Sequence, residues 1–414
     1  MTSPLSTDVL VVGGGPAGCS AATRLAELGH DVTVLERRTG PAPFPRGDLL
    51  VPAAVAELRE LAVSPIELGH AVTGTRMWYR GRSVPIRWPD SSAGTVGAVV
   101  ERDVLDAALR ARAVAAGVDL RTGMTATNPL VERGFVRGAT FEAANGATDD
   151  IACRFLLVTD GANSRFGRVL GTNRDRRWPY AVSASTVVRS ERSGDTWVET
   201  QLGPLDANDN PVTGHGWVHP RGDGTLNVGV TLLSSYADVL GVNVVKLLDA
   251  FIASIATRWQ FDPDERLVDP VRRRTPVGGS VNPTMGPTFL VAGDAAGMAN
   301  PYNSHGVRAA LTTGRIAAEV LDEALTVGNS TTLQRYPALL DDAFGQYHKV
   351  GRLTARFMGR PSLLRAALRS GIRSEATIGA ALRIATNELR DDEAGGAERA
   401  YRLATVITRF APSW

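Results

Sequence analysis

The chain has 414 residues, of which 43% are hydrophobic and 21% are charged, as in an ordinary globular protein. Its net charge of +2 gives no reason to expect nucleic-acid binding, and its two cysteines exclude a disulfide framework. The N-terminus lacks the pattern of a secretion signal, and no uncharged apolar run is long enough to span a membrane. These features predict a cytoplasmic protein.

The first motif is DVLVVGGGPAGCSAATRLAELGHDVTVLERR, which predicts a buried strand, a glycine turn, a helix and a second strand. Gly13 permits the tight turn, Gly15 lets the backbone approach a diphosphate, and Gly18 lets the helix pack on the strand. Glu36 ends the second strand, where a carboxylate can bind ribose hydroxyls. The segment therefore predicts a site for an adenine dinucleotide, either NAD or FAD.

Two later strands also end in short acidic turns. IACRFLLVTDGANSRFG carries Asp160 and Gly161, and TFLVAGDAAGMANPYNSHGV carries Gly293 and Asp294. Each aspartate is also positioned to cap a helix. In the second segment a new helix is predicted to begin near Gly306.

Together these three segments resemble the fingerprints of the flavoprotein family that includes p-hydroxybenzoate hydroxylase and the geranylgeranyl reductases. The resemblance implies bound FAD, with Asp160 near the diphosphate, Asp294 on the ribitol, and the backbone amides of Gly306 and Val307 facing the flavin pyrimidine. The residues that it assigns to FAD binding are Gly13, Gly15, Pro16, Ala17, Gly18, Glu36, Arg37, Arg46, Arg102, Ala126, Asp160, Gly161, Gly293, Asp294, Pro301, Gly306 and Val307.

Further segments resemble the geranylgeranyl reductase branch, namely GWVHPRGDGTLNVGV, NPYNSHGVRAALTTGRIAAEVL and the helical tail. Several residues depart from that branch. Ser304 and His305 replace a Gly-Glu pair, His219 replaces Phe, His215 lies near a usual Tyr, and Arg46 stands where Cys is common. Since buried unpaired polar groups are costly, these changes suggest a more polar or more oxygenated substrate than a plain isoprenoid.

The resemblance implies an α/β fold with a Rossmann-type FAD-binding domain, an inserted antiparallel β-sheet substrate domain and a C-terminal helical region. We assign 1–72, 99–175 and 268–330 to the FAD domain, 73–98 and 176–267 to the sheet domain, and 331–414 to the helices.

The activity implied by the resemblance is reduction of a C=C bond, in which reduced flavin gives a hydride and a general acid gives a proton. His305 and His219 are the candidate acids, and the alternative for His305 is that it only holds the shape of its loop. Two other functions stay open: a monooxygenase of the same fold, and a non-enzymatic escort for prenylated proteins.

The partners follow from the remaining patterns. Only one complete dinucleotide motif is present, so NAD(P)H or another external electron donor must bind transiently. No metal site is expected, because His215-x-x-x-His219 lies on a predicted strand. The segment from 346 to 390 contains nine Lys or Arg and only two Glu. Such a basic segment is typical of a helical surface that binds an anionic membrane or of one that is simply solvated. Apart from a small-molecule substrate, no obligate partner is evident.

Overall fold

The computed structural model describes residues 5–41, 47–79, 81–89, 93–236, 239–360, 375–387 and 395–408. Within these ranges, two large sheets lie at the centre of the fold. Arg46, predicted to bind the cofactor, lies outside the described residues.

The first large sheet forms the nucleotide-binding half. It contains β1 Leu5–Val12, β2 Val32–Glu36, β8 Asp119–Thr122, β9 Met124–Glu132, β10 Phe135–Ala143, β11 Thr148–Val158, β19 Met285–Gly286 and β20 Phe289–Val291. Strands β8, β2, β1, β11 and β20 run parallel in that order. Strands β2 and β20 and the last four residues of β1 and of β11 are buried on both faces, which explains the continuous apolar runs at 9–12 and 155–158.

Three helices cover this sheet: α1 Pro16–Glu27, α4 Arg102–Ala115 and α7 Val307–Val327. Helices α1 and α7 pack closely because Gly314 has no side chain, and a Cβ there would lie 2.4 Å from the carbonyl oxygen of Ala17. Ser20 Oγ donates a hydrogen bond to the carbonyl of Leu311 at 3.0 Å. This contact fixes the start of α7 beside the glycine turn.

The second large sheet has seven strands, in the order β17 Val271–Pro276, β13 Tyr180–Arg189, β16 Thr225–Leu233, β15 His215–Pro220, β14 Trp197–Leu202, β5 Gly74–Tyr79 and β6 Arg82–Arg87. All neighbours are antiparallel except β14 and β5. Helix α6 Val244–Trp259 covers one face through a buried apolar cluster that includes Leu248 and Phe251.

Strand β17 falls in the range 268–330, which the sequence assigns to the FAD domain, yet it pairs along β13 in the second sheet. Its residues alternate between half-buried and exposed from Val271 to Thr275, as expected for a strand with one solvated face. The chain therefore crosses back to the first sheet after Pro276, later than the predicted boundary.

The remaining elements join and cap the two sheets. They are the three strands β3 Gly47–Leu50, β7 Gly97–Glu101 and β4 His70–Val72, the pair β12 Asn173–Arg174 and β18 Val281–Asn282, and the helices α2 Pro52–Glu60, α3 Pro65–Leu68, α5 Arg165–Val169, α8 Tyr336–Leu340, α9 Gln346–Met358, α10 Glu375–Thr386 and α11 Gly396–Thr408. Short 3₁₀ helices occur at Val239–Gly241, Gly293–Ala296 and Ser330–Arg335, and a π-helical turn occurs at Asp341–Gly345. The predicted fold class is confirmed.

Candidate active site

The glycine turn after β1 leaves open space where a diphosphate is expected. Gly13 has φ +109°, and a Cβ there would lie 2.5 Å from the carbonyl oxygen of Thr159. A Cβ on Gly18 would lie 2.0 Å from the Gly13 carbonyl oxygen. At Gly15 the nearest atom to a Cβ is 3.9 Å away, on Arg102. Gly13 and Gly18 thus serve the fold, whereas Gly15 borders free space at the N-terminus of α1.

Glu36 lies at the end of β2 and is tied to the glycine turn. Its Oε2 accepts a hydrogen bond from the Gly14 amide at 2.9 Å, and its Oε1 accepts one from the Arg38 amide at 2.9 Å. Arg110 adds an ion pair at 3.4 Å to the same carboxylate and donates to the Gly14 carbonyl at 2.9 Å. The carboxylate is therefore fixed beside the open turn.

Arg102 begins α4 and is held by two carboxylates. Its Nε donates to Asp106 Oδ1 at 2.7 Å, and its Nη1 donates to Asp48 Oδ2 at 3.2 Å. Asp106 also accepts a bond from Arg38 at 3.0 Å. The sequence interpretation missed Asp48, Asp106 and Arg110. The spacing 102, 106 and 110 on one helix face could have revealed two of them.

Two predicted cofactor residues lie apart from this network. Arg37 is exposed immediately after β2, and Arg38 makes the contacts described above. Ala126 is half-buried on β9 and packs against the core of the first sheet.

Asp160 follows β11 and accepts a hydrogen bond from the Phe166 amide at 3.0 Å through Oδ2. Its Oδ1 is buried without a hydrogen-bond partner among the described residues. Burial raises the pKa of this carboxyl, and the hydrogen bonds that it accepts oppose that shift. Asp160 therefore helps to cap α5 and also presents one unsatisfied oxygen.

Asp294 lies in the turn Gly293–Ala296 after β20, against the N-terminus of α7. A Cβ on Gly306 would lie 2.6 Å from Asp294 Oδ1, so a side chain at position 306 would displace this carboxylate. Gly293 has φ +64°, and its amide donates to Thr313 Oγ1 at 2.9 Å. The partial positive charge of the helix N-terminus favours a carboxylate here.

The strand ends thus bring Gly15, Glu36, Asp160 and Asp294 to one edge of the parallel sheet, where open α/β sheets bind their ligands. The open position at Gly15, at the N-terminus of α1, fits the diphosphate of FAD, and the unsatisfied oxygen of Asp160 can accept a hydrogen bond from a cofactor hydroxyl. The N-terminus of α7, with Gly306 and Val307, fits the electron-rich edge of a flavin.

The loop between this turn and α7 is held by asparagines and by its backbone. Asn300 Oδ1 accepts from the Tyr302 amide at 2.8 Å, and Asn303 Oδ1 accepts from the His305 amide at 3.0 Å. The Asn300 amide donates to the His305 carbonyl at 3.0 Å. Pro301 packs against α9, because a Cβ on Gly351 would lie 2.3 Å from its Cγ. His305 therefore helps to hold this loop through its backbone amide and carbonyl groups.

His215, Trp217 and His219 alternate along β15 and so share one face of the second sheet. Gly216 faces the opposite side, where a Cβ would lie 2.5 Å from the Phe251 ring. On this face the centroid of the Trp217 ring lies 6.2 Å from that of His215 and 6.1 Å from that of His219. Trp217 Nε1 donates to Asn227 Oδ1 at 2.9 Å, which holds the indole.

His305 meets this face of the sheet. The centroids of the His219 and His305 rings are 6.2 Å apart in an edge-to-face arrangement. Burial lowers the pKa of His215 to about 3, and repulsion by His305 contributes to that shift. Burial also lowers the pKa of His305 below its ordinary 6.5, while the carboxylate of Asp48 opposes the shift. The site thus contains imidazoles that favour their neutral form.

Five of the nine basic residues between 346 and 390 lie within the described ranges, four of them on α9 and α10. Arg352 stacks on Trp178 at 3.9 Å, and Arg383 pairs with the buried Glu398 at 3.0 Å. Arg365, Arg369, Arg373 and Arg390 lie outside the described residues. None of the described helices is both long and apolar enough to cross a membrane.

Comparison with known proteins supports the cofactor assignment. The FAD binding domain family matches residues 6–202. The chain is 33% identical to a menaquinone reductase of Mycobacterium tuberculosis over 98% of this chain and 97% of that protein. It is 29% identical to a digeranylgeranylglycerophospholipid reductase of Methanosarcina acetivorans, over 78% of this chain and 76% of that protein. A crystal structure of a geranylgeranyl bacteriochlorophyll reductase-like protein from Thermoplasma acidophilum superposes with a TM-score of 0.76 at 22% identity, over 99% of this chain and 98% of the other.

The fold, the nucleotide cradle and these matches define an FAD-dependent oxidoreductase. Within that class, the chain belongs to the geranylgeranyl reductase family of flavoproteins.

Proposed function

We propose that the protein reduces a C=C bond in the isoprenoid part of a substrate that also carries polar groups. Its relatives are named as reductases of menaquinone and of a digeranylgeranylglycerophospholipid, and both molecules carry isoprenoid chains. The observation that carries the proposal is the contact of His219 with His305, because it brings two proton-bearing rings together at the predicted flavin site.

The sheet face offers both polar and apolar contacts to such a substrate. Leu202 lies opposite His215 on β14, and it packs with Met77 and Tyr79 beneath Leu382 of α10. A substrate lying on this face would contact imidazoles at one end and apolar side chains at the other. This arrangement supports an isoprenoid chain whose reacting end is next to oxygenated groups.

Bound FAD, once reduced, supplies a hydride to one carbon of the double bond. His305 would give the proton to the second carbon, and His219 is the alternative donor. Negative charge that develops on that carbon favours the imidazolium and so opposes the effect of burial on the pKa of His305. The ring would be recharged from solvent after each turnover.

The external donor, NAD(P)H or another reductant, would bind only transiently, since the chain shows one complete dinucleotide motif. A peripheral contact with anionic lipid would deliver a hydrophobic substrate. Exposed apolar side chains on α9 and α11 support such a contact: Phe357, Leu403, Val406 and Ile407. Arg356, Arg399 and Arg402 are exposed on the same two helices.

Oxygen dependence tests the proposal against the monooxygenase alternative. The FAD-loaded protein is reduced with dithionite without oxygen and mixed with menaquinone or geranylgeraniol in D₂O. A product in which one C=C bond gains two hydrogens at carbon, both of them deuterium because dithionite-reduced flavin takes its N5 hydrogen from solvent, supports the reductase. A product that forms only with O₂ and contains ¹⁸O from labelled oxygen would establish the monooxygenase instead.

A further inference from the structure

A cavity of about 470 Å³ lies beside the predicted flavin cradle, between the segment after β11 and strands β12, β13 and β17. Its lining includes Arg168, Arg174, Arg274 and the ring of Tyr180. We call this set the arginine pocket. Ser164 and Thr172 also line it.

The lining of the arginine pocket carries net positive charge. Its lining contains three guanidinium groups and no carboxylate. Across the described ranges, none of the three arginines forms an ion pair with an Asp or Glu. Arg168 donates to the side-chain oxygen of Asn163 at 3.2 Å. Asp175, which follows Arg174, offsets part of this charge from outside the lining. Three guanidinium groups around one cavity whose lining has no carboxylate still favour an anion between them.

The pocket is also organised around an aromatic ring. The guanidinium carbons of Arg174 and Arg274 lie 4.9 Å and 5.5 Å from the centre of the Tyr180 ring. Arg174 is held by the backbone carbonyls of Asp175 and Trp178, to which its Nη1 donates at 3.2 Å and 2.7 Å. Since both bonds use Nη1, the rest of that guanidinium keeps donors for a ligand.

Two walls of the pocket begin next to the predicted cofactor carboxylates. Ala162 follows Asp160 and Gly161, and Ala295 follows Asp294. A ligand held there borders the FAD cradle, yet among the described residues none of those predicted to bind FAD lines the pocket. The predicted site of the cofactor's own diphosphate is the open position at Gly15, at the N-terminus of α1.

We propose that the arginine pocket binds a phosphoanion belonging to a second molecule that acts at the flavin. Guanidinium forks match phosphate oxygens, and Tyr180 offers a ring surface beside them. Two sources share this chemistry: the diphosphate of a nicotinamide dinucleotide donor, and a phosphorylated substrate. Assignment to either source rests on the proposed function, whereas phosphoanion binding itself does not.

Binding is tested with inorganic pyrophosphate by calorimetry at low ionic strength. The FAD-loaded protein is used, so that the cofactor's diphosphate site is already filled. Arg168→Gln and Arg274→Gln should each weaken binding about fivefold, because each removes charge-assisted hydrogen bonds at an exposed site. Arg272→Gln is the matched control, since Arg272 is exposed on the same strand and outside the pocket lining. No binding to the wild type, or equal affinity in all three variants, would overturn the proposal.

Flavin reduction in a stopped-flow instrument then separates the two sources. If a dinucleotide occupies the pocket, Arg274→Gln raises the half-saturating NADPH concentration about fivefold and leaves the limiting rate unchanged. If pyrophosphate binding falls but NADPH kinetics do not change, the source is a phosphorylated substrate. Failure of the dithionite-reduced protein to reduce any C=C bond would instead count against the proposed function, and the pyrophosphate result would still stand.

Discussion

The imidazole rings of His219 and His305 lie edge to face, 6.2 Å apart, although one belongs to a strand of the second sheet and the other to a loop of the FAD domain. The loop itself is held by Asn300, by Asn303 and by the backbone of His305. The His305 ring is therefore not required for the hydrogen bonds that shape the loop, which favours a role toward substrate.

We expect His305→Ala to retain FAD and normal flavin reduction, yet to slow substrate reduction by about a hundredfold, because general acid catalysis typically contributes that much. His305→Gln should restore little activity if a proton is needed, and much of it if a hydrogen bond suffices. Single-turnover kinetics of the pre-reduced protein measure the step directly.

The pH dependence provides a second readout of the same residue. The pKa of His305 is lowered from 6.5, so its imidazole is mostly neutral near pH 7 and the imidazolium becomes populated only as the pH falls below 6.5. The rate of substrate reduction should therefore rise toward acidic pH in the wild type and lose this dependence in His305→Ala. Unchanged turnover in His305→Ala would move the assignment to His219 or to a bound water.

Much of the cradle could be predicted because short local motifs determine it. Gly13 is required by its φ of +109° in the turn and Gly18 by a close contact with the Gly13 carbonyl oxygen, and Asp294 lies in the turn that follows a strand, as the pattern indicates. The contact between His219 and His305 could not be predicted, since it depends on how a strand and a distant loop pack. The arginine pocket was missed for the same reason: residues 168, 174 and 274 meet only through the pairing of β13 with β17 and the turn after β11.

Glycine substitutions should separate cofactor binding from folding. We expect Gly15→Val to fold normally but to bind no FAD, because its side chain enters open space beside the N-terminus of α1. Gly18→Ala should instead destabilise the fold, because its Cβ would lie 2.0 Å from a backbone carbonyl oxygen. Circular dichroism melting of the two apoproteins and FAD titration measure the two effects. A Gly15→Val protein that binds FAD with wild-type affinity would contradict the cradle assignment.

The membrane contact predicts binding that depends on both charge and apolar surface. Vesicles that contain phosphatidylglycerol should co-sediment the protein at low salt and release it at high salt, since exposed charges are screened. Leu403→Asp should weaken binding, because Leu403 shares an exposed face of α11 with Val406 and Ile407. Leu28→Asp is the control, as Leu28 is also exposed but lies at the end of α1. Equal sedimentation of the two variants would leave the solvated basic face as the explanation.

A buried histidine outside the active site should make the fold sensitive to acid. His348 is only 4% exposed, and burial, followed by repulsion from Arg352, lowers its pKa to about 3. The unfolded chain, with a pKa of 6.5, takes up a proton below that pH, whereas the folded protein does not until the pH approaches 3. The free energy of unfolding should therefore fall between pH 7 and pH 5.5, by about 1 kcal/mol for this residue.

The variant His348→Phe keeps a ring next to Phe344, whose ring stacks on that of His348 at a centroid distance of 5.5 Å. Its free energy of unfolding should fall by about 1 kcal/mol less than that of the wild type over the same pH interval. His70→Phe is the control, because His70 is only half-buried and its Nε2 donates a hydrogen bond to the carbonyl oxygen of Asp195 at 2.9 Å. Urea unfolding at the two pH values measures the difference, and parallel losses in wild type and His348→Phe would show that His348 is not held neutral by the fold.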